Sequence, residues 1–440
     1  MTAIRDSVSA VRCFRFLAAG NAASAYGVYL NLVAFNLFVY DFTDSALQTG
    51  LVMAVRLLVG LIGGVLAGKL AARLDLKRMM ITAESAQALG LITLVVFHRF
   101  TGVWLLYAVV VVAGLCSNSN GVALRTAVPA IVGADRRVWA NGLLASCRSV
   151  AMVAGFASAG VVVSLLGHTA AFLVSAGTFA LSAANLAWLP LRTRTDSGET
   201  GAEGRVPPER GGGQEETRPT RARRMAALAF GALPPLVLML VAVRAVDGFG
   251  SSAHNVGMPV QSRAVDPDDP AVFMSQFWTT WAIGNLIAQR LTTRYAKRRG
   301  APSDTAFAVG VMIMSAAFIL AFAGLPVWLA LPVIVLAGMA DGFTENAFVS
   351  RLQTLPEKGR AAAFGLAATT ENTAFGLGMV ISASLLERFS PFGVVGAMHG
   401  AALVLGLAFL LIRRRLAAAP REPSHQTADA APEREREVNR

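Results

Sequence analysis

The residues best able to do chemistry in this chain are carboxylates and arginines set inside long apolar runs. Arg244 and Asp247 stand i, i+3, and Asp341 and Glu345 stand i, i+4, so each pair shares one face of a helical segment. Glu371 with Asn372 is a third polar pair in such a run, and Arg56 and Arg148 are cations in two others. A charge at the centre of a bilayer helix costs about 2.5–3.5 kcal/mol on insertion scales, so it persists where it is paired or used. Arg244 beside Asp247 reads equally as a self-neutralising ion pair and as a protonatable carboxylate tuned by its cation. Asp341 and Glu345 have no cation between them, and two carboxylates on one face favour keeping a proton near neutral pH. Glu371 is either a further proton carrier or half of a salt bridge to Arg148 or Arg56.

Asp247, Asp341, Glu345 and Glu371 are therefore the proton-coupling candidates, with Arg56, Arg148 and Arg244 as counter-ions or gating residues. Asn31, Asn118, Asn120, Asn346 and Asn372 are candidates to line a substrate cavity, with interhelical hydrogen bonds as the competing explanation. Other chemistries find little support. His98, His168, His254, His399 and His425 lack ligand spacing, so no metal site is expected. Gly60–Gly68 reads as close helix packing, not a phosphate cradle, and no Walker lysine accompanies it. An ATP-driven pump, an enzyme and a bound cofactor are all disfavoured. Cys13, Cys116 and Cys147 are odd in number and offer no disulfide framework.

Positioning such residues requires membrane-spanning helices. Of 440 residues 55% are hydrophobic and 15% charged, against roughly a quarter charged in a soluble chain. Apolar runs long enough to span occupy residues 14–40, 46–70, 79–97, 103–132, 138–166 and 169–189. A second set occupies 229–260, 271–290, 305–323, 327–352, 361–386 and 392–412. The expected fold is an all-α membrane protein with twelve transmembrane helices, in two six-helix bundles at residues 14–190 and 225–412. Between them, residues 191–224 are rich in Gly, Pro, Glu, Arg and Thr and read as a flexible linker. Residues 413–440 read as a disordered charged tail. Arg5, Arg12 and Arg15 lead into a first run expected to stay as a helix, not to be cleaved as a signal.

The net charge of +12 is distributed by topology. Lys69, Arg73, Lys77 and Arg78 fall on one predicted side with Arg290, Arg294, Lys297, Arg298 and Arg299, whereas the other side holds only Arg99, Arg263 and Arg388. That bias predicts both termini in the cytoplasm of a cell membrane, and the Arg- and Ala-rich composition hints at a bacterial one. It removes the need for a nucleic-acid partner. The expected partners are a small-molecule substrate, protons and the lipid bilayer, with the chain acting as a monomer.

An internal repeat supports two related halves. Leu70-Ala-Ala-Arg73 before Lys77-Arg78 matches Leu291-Thr-Thr-Arg294 before Arg298-Arg299. Ala140-Asn-Gly142 matches Ala363-Phe-Gly365, and the same offset relates Arg148 to Glu371 and Gly155 to Gly378. The third, sixth, ninth and twelfth runs are the most apolar, which places them outermost and leaves the others to line a cavity.

Four stretches carry a family resemblance: Asp41–Gly50, Gly64–Arg78, Val128–Gly142 and Ala154–Gly160. With the twelve spans, they make the chain resemble the major facilitator superfamily. It is most similar to the macrolide-efflux and enterobactin-exporter branch of drug:proton antiporters. The resemblance implies a pseudo-two-fold pair of bundles and proton-coupled efflux of a small hydrophobic or amphipathic compound by alternating access. An antibiotic, drug or siderophore is the implied cargo. Uptake and lipid flipping by the same fold are the alternatives, with a non-transporting sensor or enzyme far behind. The resemblance also marks a cytoplasmic loop motif at Gly68, Arg73, Asp75, Lys77 and Arg78. Ala72 stands where the family has an Asp of the loop's charge relay, and Leu76 where it has Arg. Asp75 and Glu84 are the candidates to serve instead, Glu84 by pairing with the loop's basic residues. Phe156 and Ala159 replace the Pro and Gly of the antiporter motif, which bears on the direction of transport.

Overall fold

In lipid, every backbone N–H and C=O must find its partner inside the segment, so the long apolar runs fold as helices. The computed structural model describes residues 2–71, 74–97, 102–133, 135–190, 233–300 and 302–418. The proposed linker at 191–224, Ala72, Arg73, Arg99 and the chain beyond 418 lie outside the described residues.

The first half contains α1 (Thr2–Thr43), α2 (Ala46–Ala71), α3 (Leu76–Val96) and α4 (Val103–Val132). The stretch Arg137–Trp188 then bends at Gly167, whose φ of 78° an L side chain adopts only with strain. Its two arms are α5 (residues 137–166) and α6 (residues 168–188). The second half contains α7 (Pro235–Val265), α8 (Pro270–Arg299), α9 (Asp304–Ala321), α10 (Val327–Gln353), α11 (Glu357–Leu386) and α12 (Pro391–Ala418). Every regular element among the described residues is a helix, and the bend at Gly167 makes them twelve. Among the described residues nine helices are long and apolar enough to cross a membrane, the bent pair among them as one. The remaining two, α8 and α11, carry more polar residues. This is an integral membrane protein.

Several helices run past the apolar segments that define them. Asp41 belongs to α1, and the turn falls at Asp44, with a φ of 47°. Helix α8 continues beyond Arg290 to Arg299, because its charged end is rich in good helix formers until Gly300 stops it at a φ of 81°. Helix α12 continues past residue 412 to Ala418.

Packing repeats between the halves. Helix α1 lies against α5 and α6, and α2 against α4; α7 lies against α11 and α12, and α8 against α10. The repeat reaches individual atoms. A Cβ on Gly155 of α5 would stand 2.7 Å from the Tyr26 carbonyl oxygen of α1, and one on Gly378 of α11 would stand 2.9 Å from that of Phe249 in α7. The same offset relates the two glycines and the two carbonyls, so one close crossing has been kept in both halves. Helices α3, α6, α9 and α12 pack chiefly within their own half, as their apolar character predicts. Leu58, Val65, Leu166, Leu181 and Val404 turn outward where lipid would cover them. Trp104, Trp188 and Trp328 stand exposed near helix ends, at the level of an interfacial aromatic belt.

The halves join through α2–α11 and α5–α8, two symmetry-related pairs. Gly50 of α2 lies against Met379 and Ala383 of α11, and Gly160 of α5 against Ala271 and Ser275 of α8. Polar contacts reinforce this seam at one membrane face. Arg263 Nη2 lies 2.6 Å from Asp41 Oδ1, and Asp41 also meets His168 Nε2 at 3.2 Å. Glu387 Oε1 accepts from the Ser45 hydroxyl and the Leu47 N–H, both at 2.7 Å, capping α2 from the other half. Ser164 donates to Asp269 nearby. At the opposite, basic face the halves part. There a cleft of about 490 Å³ separates Ser146 and Ser149 of α5 from Arg290, Thr293, Arg294 and Lys297 of α8.

Two outcomes follow from this packing. Gly378→Val should lower stability by about 1–3 kcal/mol through overpacking, read as a reduced melting temperature in detergent. Arg263→Ala with Glu387→Ala should weaken the seam and favour closure of the basic face. Spin labels at Ser149 and Thr293, on a chain with its native cysteines replaced, would then move closer together; an unchanged distance would show that these contacts do not hold the seam.

Candidate functional site

Pro235 at the first turn of α7 tolerates its missing N–H and starts a helix that carries Arg244 and Asp247 inward on one face. Arg244 Nη1 donates to Asp247 Oδ2 at 3.0 Å. Its Nη2 is shared by Glu345 of α10, at very short range, and by Glu371 Oε1 of α11, at 3.0 Å. One guanidinium thus ties three helices together. Asp341, one turn before Glu345, lines the same cavity of about 270 Å³ with Arg244, Asp247 and Glu371. Tyr29 and Phe156 reach this cavity from the first half, and Trp278, Trp281 and Phe375 from the second. Phe156 meets Tyr29 edge-on at 5.1 Å and stacks near Trp278 at 5.9 Å.

A single cation faces four carboxylates here, so it cannot neutralise them all if every one is ionised. Protons or a cationic ligand must make up the difference. Arg244 Nε and Asp247 Oδ1 are also buried without a hydrogen-bond partner, as is the indole N–H of Trp278. The site therefore keeps unused bonding capacity in a low-dielectric place, where each such group is costly.

Of the two readings of Glu371, the salt bridge to Arg148 or Arg56 does not form; its cation is Arg244. Arg148 instead donates its Nε–H to the Tyr29 hydroxyl at 3.0 Å and sits 5.9 Å from that ring's centre. Arg56 lines a neighbouring cavity of about 360 Å³ with Asn118. Asn31 is buried in a recess beside Arg56, with its Oδ1 unpaired. The other amides are engaged elsewhere. Asn120 donates to Glu84 Oε1 at 2.7 Å, while Asn346 and Asn372 donate to carbonyls one turn back on their own helices, Gly342 at 2.8 Å and Ala368 at 2.7 Å.

The loop motif is largely structural where it is described. Asp75 caps α3 by accepting the Lys77 N–H at 2.9 Å. Lys77 Nζ donates to the Ala187 and Leu189 carbonyls at 3.0 and 2.7 Å, a cation at the C-terminal end of α6. Arg78 is exposed, and a side chain on Gly68 would touch nothing. Glu84 corrects the expectation that it serves the loop. It is buried, takes the Ser24 hydroxyl at 3.0 Å as well as Asn120, and braces α1, α3 and α4. Its side chain points into the bundle because α3 turns that face toward α1.

Sequence reasoning also missed a buried histidine pair. His254 Nδ1 lies 3.1 Å from His399 Nε2, whose Nδ1 lies 3.3 Å from Ser315 Oγ, and His254 stacks on Phe318 at 3.8 Å. A polar residue in the apolar twelfth run was the available signal, but nothing in the spacing joined α7 to α12. Among the described residues no cluster with metal-holding geometry is found.

A profile described as Major Facilitator Superfamily matches residues 17–356. No curated protein matches the chain. The fold is similar to the crystal structure of the nucleoside transporter NupG, with a TM-score of 0.68, 16% identity, and 91% of this chain and 99% of that one covered. It is also similar to a bacterial homologue of the human lysosomal transporter Spinster in an inward-facing, occupied conformation, with a TM-score of 0.67, 14% identity, and 91% and 96% covered. A peptide transporter, POT, in complex with sulfate matches with a TM-score of 0.64, 16% identity, and 92% and 95% covered.

Removing the shared cation leaves the buried carboxylate of Asp247 unpaired. Arg244→Gln should cost about 3–5 kcal/mol, and adding Asp247→Asn should restore much of it, measured as melting temperatures in a double-mutant cycle.

Proposed function

The chain belongs to the major facilitator superfamily, and on that premise we propose that it is a secondary transporter that exports a small amphipathic molecule in exchange for protons. The observation that carries this reading is the guanidinium of Arg244 shared among Asp247, Glu345 and Glu371, with Asp341 in the same cavity. Such a group holds a variable number of protons at little structural cost, because Arg244 can stay paired with one carboxylate while another is neutralised.

In this reading the basic face is cytoplasmic, so the described conformation opens inward and the Asp41–Arg263 and Glu387 contacts close the outside. Substrate enters the open cavity and a carboxylate releases its proton to the cytoplasm. After the bundles rock, a proton arriving from outside water takes that carboxylate and loosens the substrate's hold. Substrate and proton must compete for the same groups; otherwise nothing couples their movements. The linker at 191–224 ties the bundles without chemistry of its own. Likeness to the macrolide-efflux and enterobactin-exporter branch at Asp41–Gly50 and Val128–Gly142 supports export of an antibiotic, drug or siderophore.

A second reading, proton-coupled uptake, draws on Phe156 and Ala159, which replace the Pro and Gly of the antiporter motif in α5. The nucleoside and peptide transporters of similar fold fit it as well. Everted membrane vesicles separate the two: once respiration has acidified their lumen, an exporter accumulates substrate inside them as protons leave in exchange. Asp341→Asn with Glu345→Gln should abolish protonophore-sensitive accumulation while exchange of preloaded substrate persists. Accumulation that keeps its protonophore sensitivity in this double variant would reject these carboxylates as the coupling site.

A further inference from the structure

We propose that the central cavity recognises a dipolar molecule, with Arg56 in the first half holding its anionic group and the carboxylates of the second half facing its cationic group. Arg56 lies near the middle of α2 and lines a cavity of about 360 Å³ with Asn36, Ser117, Asn118 and Asn255. Among the described residues it has no ion pair, and no carboxylate lines that cavity from α1, α4, α7 or α11. Arg244, in the other half, is surrounded by carboxylates. The two arginines pose the same problem of a charge in a bilayer, and the protein solves it for only one of them.

The surroundings of Arg56 suit a ligand better than a missing partner. The amides of Asn36, Asn118 and Asn255 and the Ser117 hydroxyl share its cavity with apolar side chains. Behind it, Asn31 is buried with an unpaired Oδ1 in a recess that also holds Gln87. An amide turned about its axis exchanges that oxygen for an N–H, so Asn31 can present a donor beside the guanidinium. A guanidinium offers a planar fork of donors that matches a carboxylate in a way an ammonium does not.

The Arg56 cavity and the acidic cavity share Leu32, Asn255 and Phe375, so they are two ends of one space whose waist is two apolar side chains and one amide. One end is cationic and the other acid-rich. Their volumes of about 360 and 270 Å³ suit a small molecule with one charge at each end and an apolar or aromatic middle. The assignment rests on the transport reading only in that substrate must enter this cavity.

The test uses the purified full chain in detergent with no pH gradient. The probes are 4′-(aminomethyl)biphenyl-4-carboxylic acid, whose ammonium and carboxylate stand at opposite ends of an aromatic middle, and its methyl ester, in which the carboxylate is capped. Wild-type protein should bind the acid roughly ten-fold more tightly than the ester, the worth of one charge-assisted hydrogen-bonded contact. Arg56→Gln should erase that preference by weakening the acid alone, and Arg56→Lys, which keeps the charge but loses the fork, should retain part of it. Equal binding of both probes by wild type, binding of neither included, overturns the proposal. So does a preference that survives unchanged in the two variants, and Arg56→Lys decides if Arg56→Gln fails to fold. An Arg56-dependent preference beside protonophore-insensitive flux would reject proton coupling and leave this assignment standing; proton-driven flux without the preference would reject dipolar recognition alone.

Discussion

Because a bilayer supplies no water to solvate a stray charge, the shared guanidinium of Arg244 is what the second half depends on. Asp247 is nearly inaccessible to solvent, at 1% exposure, and could not remain ionised there without a cation. By reaching Glu345 and Glu371 as well, Arg244 fastens α7 to α10 and α11 at the depth where the halves face one another. The contact is structural and also adjustable. In the proposed coupling, a proton added to one carboxylate would leave the guanidinium paired with another.

The rest of the architecture serves to bring that group to a cavity with one open side. Glycines at equivalent positions, Gly155 and Gly378, let the first helix of each half lie directly on its fifth. The crossing is the same in both because a backbone carbonyl tolerates no Cβ there. Across the halves, Gly50 and Gly160 allow a tight seam, which Asp41, Arg263 and Glu387 complete at one face. At the other face, Arg290, Arg294 and Lys297 border an open cleft. A dense crowd of like charges there favours hydration over closure unless counter-charges arrive.

The two halves share a fold and differ in charge. In the first half the buried carboxylate, Glu84, is held by Ser24 and Asn120 with no cation beside it, while Arg56 stands apart in the cavity. In the second half the acids and their arginine converge. The related scaffolds therefore present opposite electrostatic ends to one space, which is the physical basis for reading its ligand as dipolar.

Much of this could be read directly from the chain. Apolar run length set the twelve helices, since lipid leaves the backbone no alternative, and the offset joining Gly155 to Gly378 was visible as part of an internal repeat. The candidates Arg244, Asp247, Asp341, Glu345 and Glu371 were visible as charges where charges are costly. Their partners were not. Periodicity reports which residues share a helix face but not which faces meet, so the choice of Arg244 over Arg148 and Arg56 as the cation for Glu371 depended on how α7, α10 and α11 pack. The same reason hid the inward turn of Glu84, the meeting of His254 with His399, and the solitude of Arg56. Sequence by itself determined how many helices there are and where charge is buried; only the tertiary structure decided which charges neutralise one another, because that depends on distances between helices that no local pattern encodes.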